Sequence, residues 1–388
     1  MSKKMLMACR NYWSSPFQVG SHQIAKSFVN IGYHVAFLSD PISPLHLLYT
    51  ADDSFSNRFS IYQKGGIWDY HQKVWTYIPG AIAVPYNIFL LRSKWLYKNW
   101  YKLTFPNAIE VVKKNGFEKV DFIYLDSVNQ SFWLDKITHN KSIYRFADNL
   151  AGYPNASSVS IEQERKLAQR VDLVVYCAKG LESYIKKLKP KNSIYLPNGV
   201  NFEHFTKRST TIPKKLLNIK KPIAIYAGSL DKWFDFHLVN YLACELPDIS
   251  FVLIGPKNLA KRKIAKLPNL FILDKCSYNE LPSFLQNADI GIIPYDIKNH
   301  QELINYFNPL KLYQYLACNL PVVSVRTQEL ELLNTPAILT NTYQEFKNAI
   351  VDLIEKNKSQ DIDGYINRIR NLDWNLLVKR LNDTITSI

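Results

Sequence analysis

The sequence lacks the cysteine pattern of a disulfide-bonded or zinc-binding protein. Its five cysteines are scattered and odd in number, and no two of them form a CxxC pair. A disulfide framework needs paired cysteines, and zinc sites of this type need closely spaced ones. Both are therefore disfavoured, and a reducing cytoplasm is the expected location. The cysteines are Cys9, Cys177, Cys244, Cys276 and Cys318.

A long apolar run is also missing. The longest, "AIAVPYNIFLL" at 81–91, is interrupted by Pro85 and Asn87 and is far short of the ~20 residues that a membrane-spanning helix needs. The N-terminal "MSKKMLMACRNYW" has neither an apolar core nor a small-residue cleavage site, so no signal peptide is expected. We predict a protein that is not integral to a membrane, while attachment to a membrane surface stays open.

Glycine-rich phosphate motifs are absent as well. Neither GxGxxG nor GxxxxGK[ST] follows a predicted strand, so a dinucleotide-dependent epimerase and a P-loop enzyme lose their main support. The DxD triplet at 361–363 lies in a polar stretch, where it is predicted to start a helix. We therefore expect no metal ion and no cofactor.

The composition is that of a basic globular protein. Of 388 residues, 47% are hydrophobic, and the formal net charge is +15. A charge of this size indicates a polyanionic partner, which can be nucleic acid, an anionic membrane surface or a phosphorylated substrate.

Short apolar runs alternate with helical patterns in two successive series. The first includes "MLMAC", "HVAFLSD", "DFIYLD", "SIYRFAD", "DLVVYCA" and "SIYLPNG", and the second includes "PIAIYAG", "SFVLIG", "LFILD", "ADIGIIPY" and "PVVSV". Buried strands separated by helices predict parallel sheets with right-handed crossovers. We predict an α/β protein with two doubly wound domains at 1–203 and 204–365, and a final helical segment at 366–388. Ligands of such sheets bind beyond the carboxyl ends of the strands, so a cleft between the domains is the expected site.

Two features of the first series are candidate functional groups. Asp148 follows the strand "SIYRF", where a carboxylate can remove a proton from an attacking hydroxyl; from this position alone, a turn or cap aspartate is the favoured explanation. The loop at Gly20-Ser21-His22 enters a helix, whose N-terminus suits a phosphate. The alternative is a plain loop with Ser21 as the helix cap.

The second series contains the most informative segment, "YFNPLKLYQYLACNLPVVSV" at 306–325. Pro309 suits the first turn of a helix, so Asn308 and the first amides can meet a phosphate or ribose. Lys311 and Gln314 lie three residues apart, near that helix end. Both are equally explained as surface side chains. Two further candidates are Ser229 in a strand-to-helix loop and Tyr295 after a strand, whose alternatives are a helix cap and core packing.

Residues 86–105 carry a stripe of lysines at helical spacing, bordered by aromatic residues. We predict a helix that lies on an anionic membrane; a helix docked on its own domain is the alternative. The predicted membrane contacts are Lys94, Trp95, Tyr97, Lys98, Tyr101 and Lys102, and the predicted apolar face includes Phe89, Leu96 and Trp100.

Three segments in one order resemble bacterial glucuronosyltransferases of the xanthan-assembly type. They are "SPFQVGSHQIAKSFVNIGYHVAFLSDPISPLHLL", "YRFADNLAGYPN…EQERKLAQRVDLVVYCAKGL" and "NPLKLYQYLACNLPVV". The resemblance implies the GT-B fold, with the acceptor on the first domain and the nucleotide-sugar on the second. It also implies metal-independent inversion, with a polyprenyl-diphosphate-linked oligosaccharide as the acceptor at the inner membrane face.

The resemblance implies a role for particular residues. The general base falls on Asp148. The donor site falls on Leu230, Ser277, Tyr278, Tyr295, Asn308, Pro309, Leu310, Lys311 and Gln314. This chain lacks methionines that the family has around the uridine.

These observations together predict a cytoplasmic, peripherally membrane-bound inverting glycosyltransferase that uses a UDP-sugar in surface polysaccharide assembly, with glucuronic acid as the candidate sugar. Many retaining GT-B enzymes carry two glutamates eight residues apart, where this chain has Tyr306 and Gln314. A retaining enzyme is thus the weaker alternative. A non-enzymatic basic protein that binds nucleic acid is the other, although no nucleic-acid-binding motif is present.

Overall fold

The computed structural model describes residues 2–16, 18–44, 53–88, 91–154, 156–355 and 362–388. The chain divides into two units, of which unit 1 comprises 1–196 and 375–388, and unit 2 comprises 197–374.

Unit 1 is built on a sheet of eight strands. Its strands are β1 (Lys3–Cys9), β2 (Tyr33–Ser39), β3 (Ile67–Asp69), β4 (Val74–Tyr77), β5 (Lys119–Leu125), β6 (Thr138–Phe146), β7 (Leu173–Tyr176) and β8 (Ser193–Tyr195). Its helices are α1 (Gly20–Asn30), α2 (Asp53–Gln63), α3 (Lys94–Asn99), α4 (Ala108–Val112), α5 (Trp133–Lys136), α6 (Ser158–Arg170) and α7 (Glu182–Leu188). The strand order is β3-β4-β2-β1-β5-β6-β7-β8, and β3 alone among these strands runs antiparallel to its neighbour.

Unit 2 is built on a parallel sheet of six strands. They are β9 (Ile223–Ala227), β10 (Ser250–Ile254), β11 (Leu270–Leu273), β12 (Ile290–Ile293), β13 (Val322–Val325) and β14 (Ile338–Thr340), in the order β11-β10-β9-β12-β13-β14. Its helices are α8 (Phe202–Thr206), α9 (Phe236–Glu245), α10 (Lys257–Lys263), α11 (Leu281–Gln286), α12 (Ile297–Ile304), α13 (Leu310–Ala317), α14 (Gln328–Leu333), α15 (Tyr343–Glu355) and α16 (Ile362–Arg370). The last helix of the chain, α17 (Trp374–Ser387), follows it.

Continuous apolar runs form these strands because helices cover both faces of each sheet. In β9, for example, Ile223 and Ile225 pack into one buried cluster, whereas Ala224 and Tyr226 pack into another on the opposite face. The prediction of two doubly wound α/β sheets is confirmed.

The division of the chain differs from the predicted one at both ends of unit 2. Val200 exchanges backbone hydrogen bonds with Leu372 and Trp374, at 3.0 and 3.1 Å, so residues 197–203 belong to unit 2. Residues 366–374 also belong to unit 2, whereas 375–388 belong to unit 1. There, Asn382 on α17 accepts a hydrogen bond of 2.9 Å from the Tyr33 hydroxyl.

The segment predicted as one long interfacial helix is different in the structure. Helix α3 is six residues long and passes into a 3-10 turn at Trp100–Leu103, so the lysine stripe does not continue as a single helical edge. Leu96, Tyr97 and Trp100 are buried, and the indole of Trp100 donates a hydrogen bond to the Asn129 carbonyl. Tyr97 is therefore not available as a membrane contact.

The other predicted residues of this segment have different surroundings. Lys94 forms an exposed ion pair with Glu162 at 3.0 Å, whereas Trp95 and Lys98 are exposed. The Tyr101 ring stacks on Phe132. Lys102 lies 6.0 Å from the Tyr101 ring centre, and Phe89 lies outside the described residues.

Candidate functional site

Asp148 lies where the sequence predicts it, just beyond the carboxyl end of β6. It is half-buried, and the hydroxyl of Tyr153 donates a hydrogen bond of 2.8 Å to its Oδ2 atom. One carboxylate oxygen is therefore held by a neighbour in the loop that follows. A partly exposed carboxylate with one fixed oxygen can accept a proton from a substrate hydroxyl.

Two other strands of unit 1 end on an aspartate in the same way. Asp40 follows β2, and Asp126 follows β5. The Oδ1 atom of Asp40 accepts hydrogen bonds from the Ser127 hydroxyl at 2.8 Å and the Gln130 amide at 3.0 Å. Burial raises the pKa of Asp40 to about 6, against the effect of these hydrogen bonds. Neither aspartate was predicted from the sequence, although each follows an apolar strand in the same way as Asp148.

A fourth carboxyl group lies behind this edge. Glu164 on α6 is buried and accepts hydrogen bonds from the hydroxyls of Tyr144, at 2.8 Å, and Tyr184, at 3.1 Å. Burial raises the pKa of Glu164 to about 7. No sequence pattern predicts this residue, because a glutamate on a polar helix usually faces solvent.

The side chains of the predicted phosphate loop are hydrogen-bonded to other groups of the protein. Gly20, Ser21 and His22 are all buried at the start of α1. The Ser21 hydroxyl donates to Asp126, and the His22 ring hydrogen-bonds the Tyr12 carbonyl through Nε2 and the Val19 amide through Nδ1. Burial lowers the pKa of His22 to about 4, so the ring is neutral near pH 7. An adjacent carboxylate and a neutral histidine disfavour a phosphate here.

In unit 2, the structure brings Lys311 together with the loop after β9. A Cβ atom placed on Gly228 would lie 3.3 Å from the Cε atom of Lys311. The Lys311 ammonium donates a hydrogen bond of 3.0 Å to the Tyr295 hydroxyl and lies 5.1 Å from the ring centres of both Tyr226 and Tyr295. Two tyrosine side chains, one on β9 and one just after β12, thus lie around this cation.

Lys311 has no ion-pair partner among the residues that the structure describes. Burial lowers the pKa of Lys311 to about 8. It lies in the first turn of α13, where Pro309 occupies the cap position and provides no side-chain cap. The first amides of this helix and the ammonium group therefore form a positive site that suits a diphosphate.

The remaining predicted donor residues fall into two groups. Ser229 is exposed and Gln314 is partly exposed, and within the described part of the chain neither side chain has a hydrogen-bond partner. Leu310 is partly exposed beside Lys311, whereas Pro309 is buried.

Several other predicted residues have roles within the fold. The Asn308 amide donates to Glu329 at 3.0 Å, and its oxygen accepts from Tyr313 at 2.9 Å, so its side chain holds α13 in place. The Tyr295 ring packs in the core beside Phe307, where it cannot stack on a base, and both its ring and its hydroxyl are near the Lys311 ammonium.

Leu230 and the segment after β11 complete the predicted set. Leu230 is buried in the core. The exposed Ser277 hydroxyl donates to Glu280 at 2.7 Å, and the Tyr278 ring stacks on His204 with 4.8 Å between the centres. β11 lies two strands from β9.

Comparison with known proteins finds similarity in both halves of the chain. Residues 7–177 match the family model described as glucuronosyltransferase GumK, N-terminal domain, and residues 221–356 match the model described as glycosyl transferases group 1. The whole fold is similar to sucrose-phosphate synthase from Thermosynechococcus elongatus, with a TM-score of 0.70 and 14% identity over 99% of this chain and 98% of the other. The chain has the GT-B fold, and each of its two halves is similar in sequence to a glycosyltransferase model. The resemblance to the xanthan-type glucuronosyltransferases is thereby confirmed.

Two further relatives bear on the ligands of this GT-B chain. Anabaena HepE, solved in complex with UDP and glucose, is similar over 100% of both chains, with a TM-score of 0.70 and 14% identity. A protein of Bacillus subtilis (strain 168) named for teichuronic acid biosynthesis, the glycosyltransferase TuaH, is 24% identical over 231 residues. That alignment covers 56% of this chain and 57% of TuaH, so the match spans little more than half of either protein.

Two classes of feature are absent from the described residues. No helix among them is long and apolar enough to span a bilayer. In the same part of the chain, no three histidine, cysteine, aspartate or glutamate side chains are grouped as metal ligands.

Proposed function

We propose that the protein is a metal-independent inverting glycosyltransferase, which transfers a sugar from a UDP-sugar to a lipid-linked oligosaccharide. The observation that carries this proposal is Lys311 in unit 2, a desolvated cation that has no ion-pair partner among the described residues. A lysine whose ammonium is desolvated, without a carboxylate partner, beside uncapped helix amides is costly to the fold unless an anion binds there. The diphosphate of a nucleotide-sugar is such an anion.

The reaction is a single displacement. Asp148 removes the proton from an acceptor hydroxyl, whose oxygen then forms a bond to the anomeric carbon of the sugar. The bond between that carbon and the diphosphate oxygen breaks, and the departing UDP takes the electron pair. The ammonium of Lys311 and the first amides of α13 stabilise the charge that develops on the leaving group.

The names of the relatives support the choice of substrates. The N-terminal model is named for a glucuronosyltransferase, TuaH is named for teichuronic acid, and HepE was solved with UDP. A uronic acid is therefore the transferred sugar that we propose to test first, in the assembly of a bacterial surface polysaccharide. Direct contact of the sugar carboxylate with Gln314 or Ser229 is compatible with their uncommitted side chains.

We also propose that the protein works at the inner face of the cytoplasmic membrane. Ile82 is 72% exposed, Trp95 is 58% exposed and Phe105 is 76% exposed, and Lys98 and Lys102 lie in the same stretch. Exposed apolar and basic side chains together favour an anionic bilayer. The test is sedimentation with vesicles of anionic or zwitterionic lipid. A double substitution Trp95→Ser with Phe105→Ser should abolish sedimentation with anionic vesicles, and unchanged sedimentation would contradict the proposal.

The catalytic proposal is tested with a panel of UDP-sugars. At least one UDP-sugar should raise the melting temperature and release UDP. Asp148→Asn should reduce that release about 1,000-fold or more, since the general base is lost. The dissociation constant of UDP should stay within about twofold. Unreduced turnover in Asp148→Asn removes this residue from the mechanism, and a product that retains the donor's anomeric configuration would indicate the retaining alternative.

A further inference from the structure

The loop after β9 lies at the point of the unit 2 sheet where a ligand is expected. The chain builds the sheet outward from β9 through β10 to β11, and then continues on the other side of β9 with β12, β13 and β14. In an open sheet of this kind, ligands bind beyond the switch between β9 and β12. Lys311 lies against this loop, since a Cβ atom on Gly228 would be 3.3 Å from its Cε atom.

The two strands at this switch separate before β9 ends. β9 stays paired with β10 up to Ala227, opposite Ile254, whereas its pairing with β12 stops at Ile225, opposite Gly291. The amide of Ala227 instead donates a hydrogen bond of 2.9 Å to the hydroxyl of Tyr315 on α13. A helix side chain thus takes the place of the missing strand neighbour, and without it a buried backbone amide would be unpaired.

Tyr315 reaches this amide because β12 has a glycine beneath its ring. A Cβ atom on Gly291 would overlap the Tyr315 ring, so the ring can lie against the strand only where no side chain is present. Tyr315 is completely buried and is one helical turn from Lys311. The lysine and the tyrosine therefore approach the end of β9 from one face of α13.

A second tyrosine holds the loop from the other face of the sheet. Tyr226 packs in the core cluster opposite the one that contains Tyr315, and its hydroxyl donates a hydrogen bond of 2.8 Å to the carbonyl of Ser229. In the described part of the chain, each of the two hydroxyls makes this one hydrogen bond. The loop is thus fixed at Ala227 and at Ser229 by hydroxyl groups from two different elements.

Other groups of the same loop are left for a ligand. The backbone amides of Ser229 and Leu230 donate to no acceptor among the residues that the structure describes. Amides that are held in place but not satisfied by the fold can bind an anion. The two tyrosine hydroxyls therefore determine where these amides lie relative to the ammonium of Lys311.

We propose that Tyr226 and Tyr315 are positioning residues of the donor site, whose hydroxyls hold the loop at 227–230 in the arrangement that receives a diphosphate beside Lys311. This inference rests on the proposed function, in which Lys311 binds that diphosphate. Without either hydroxyl, one backbone group of the loop is unpaired until the loop shifts, and UDP must restore the arrangement when it binds. The dissociation constant of UDP should therefore rise about 10-fold.

The experiment compares Tyr315→Phe and Tyr226→Phe with wild type in the full chain. Each substitution removes one oxygen atom and keeps the ring, and each tests the loop through a different hydrogen bond. Tyr33→Phe is the matched control, because Tyr33 is a buried tyrosine of unit 1 whose hydroxyl donates a hydrogen bond to Asn382. The dissociation constant of UDP is measured by calorimetry, and kcat and the donor KM are measured with the UDP-sugar that gives the fastest UDP release. Hydrogen–deuterium exchange of the peptide that contains 227–230 is followed with and without UDP.

Both variants should raise the dissociation constant of UDP and the donor KM about 10-fold, with kcat at saturating donor within about threefold of wild type. Exchange at 227–230 should be faster than in wild type without UDP and should approach the wild-type rate with saturating UDP, and the control should match wild type throughout. A variant that melts at a lower temperature but binds UDP as wild type does has lost a merely structural hydroxyl, which overturns the role of that tyrosine. Weaker binding without faster exchange overturns it as well. Normal UDP binding by Lys311→Met would instead overturn the donor site itself, whereas weak binding by Lys311→Met with normal binding by both tyrosine variants overturns this inference alone.

Discussion

Replacing Lys311 by methionine should stabilise the free protein and weaken its binding of UDP. Methionine has a similar length and no charge, so it fills the space between Tyr226 and Tyr295 without the desolvated ammonium. The stability of the free protein should thus rise, while its affinity for UDP should fall. A surface lysine would show neither, and a lysine needed only for the fold would show a loss of stability.

The size of the stabilisation follows from the pKa of Lys311, which burial lowers from 10.5 to about 8. A shift of this size corresponds to about 3 kcal/mol as an upper bound. Because the side chain is partly exposed, solvent screening reduces the expected gain to about 1–2 kcal/mol. The cost of the charge is fully present below pH 8 and disappears toward pH 10.5, where the lysine is neutral in the folded and the unfolded chain. The gain should therefore shrink over that interval.

The loss of affinity follows from the contact that the ammonium makes with a diphosphate. A hydrogen bond to a charged group is worth about 1.5–3 kcal/mol, so the dissociation constant of UDP should rise roughly 10- to 100-fold at pH 7. The ratio of the UDP dissociation constants of Lys311→Met and wild type should fall as the pH rises above 8, because the wild-type lysine then loses its proton before UDP binds. Ionisation of UDP itself affects both proteins equally and cancels in the ratio.

The assay is calorimetric titration with UDP from pH 6.5 to pH 9.5, together with thermal unfolding of the full chain. The unfolding transition that UDP shifts upward is assigned to unit 2, because a ligand stabilises the part that binds it. Lys298→Ala is the control, since Lys298 is an exposed lysine of the same unit. A Lys311→Met protein that binds UDP as wild type does, or a ratio of dissociation constants that is independent of pH, would refute this account of the donor site.

Three further predictions concern single substitutions. Glu164→Gln should raise the melting temperature at pH 8 relative to wild type but not at pH 4, because the stability that protonated Glu164 contributes is lost between pH 4.5 and about 7; equal shifts at both pH values would contradict it. Gly255→Ala should lower the melting temperature and weaken UDP binding, since its Cβ atom would lie 2.2 Å from the Gly228 carbonyl oxygen; a stable, UDP-binding variant would contradict it. Tyr153→Phe should reduce kcat about 10-fold without changing the dissociation constant of UDP, because Asp148 loses its fixed oxygen; an unchanged kcat would exclude that role.

Much of the sheet architecture could be predicted from the sequence, because most of the buried strands are short apolar runs bounded on at least one side by Asp, Gly or Pro. The exceptions are β3, β4 and β14. The segment "IWDYHQKVWTY" at 67–77 looks like an exposed aromatic stretch, yet Trp75 and Tyr77 are buried in β4. The turn between β3 and β4 has three consecutive residues with positive φ, at 42°, 59° and 56°, and none is glycine. Such a turn carries no sequence signal, because L-residues rarely adopt that conformation.

The candidate site could be predicted only where chemistry follows from position along a strand. That rule predicts Asp148 and applies equally to Asp40 and Asp126, whereas Lys311 is predicted from its place in the first turn of a helix. It could not separate Tyr295 and Asn308 from ligand-binding residues, because both follow a strand or precede a helix but are buried by contacts distant in sequence. The prediction of one long lysine-rich helix was wrong for another reason. The segment does begin as a helix, but the regular helix ends after six residues, where the buried Trp100 starts a 3-10 turn.

The two sheets share a property that stability alone does not explain. Arg10 in unit 1 has donors that no described residue accepts, and Lys311 in unit 2 has no carboxylate partner in the described part of the chain. Replacing a buried charge by a well-packed apolar side chain is often neutral or stabilising, so the fold alone does not account for keeping it. A cation that the fold leaves uncompensated is preorganised for charge that arrives from outside or develops during reaction. On this argument, Lys311 meets a charge that the donor brings, and its substitution should alter the binding of UDP.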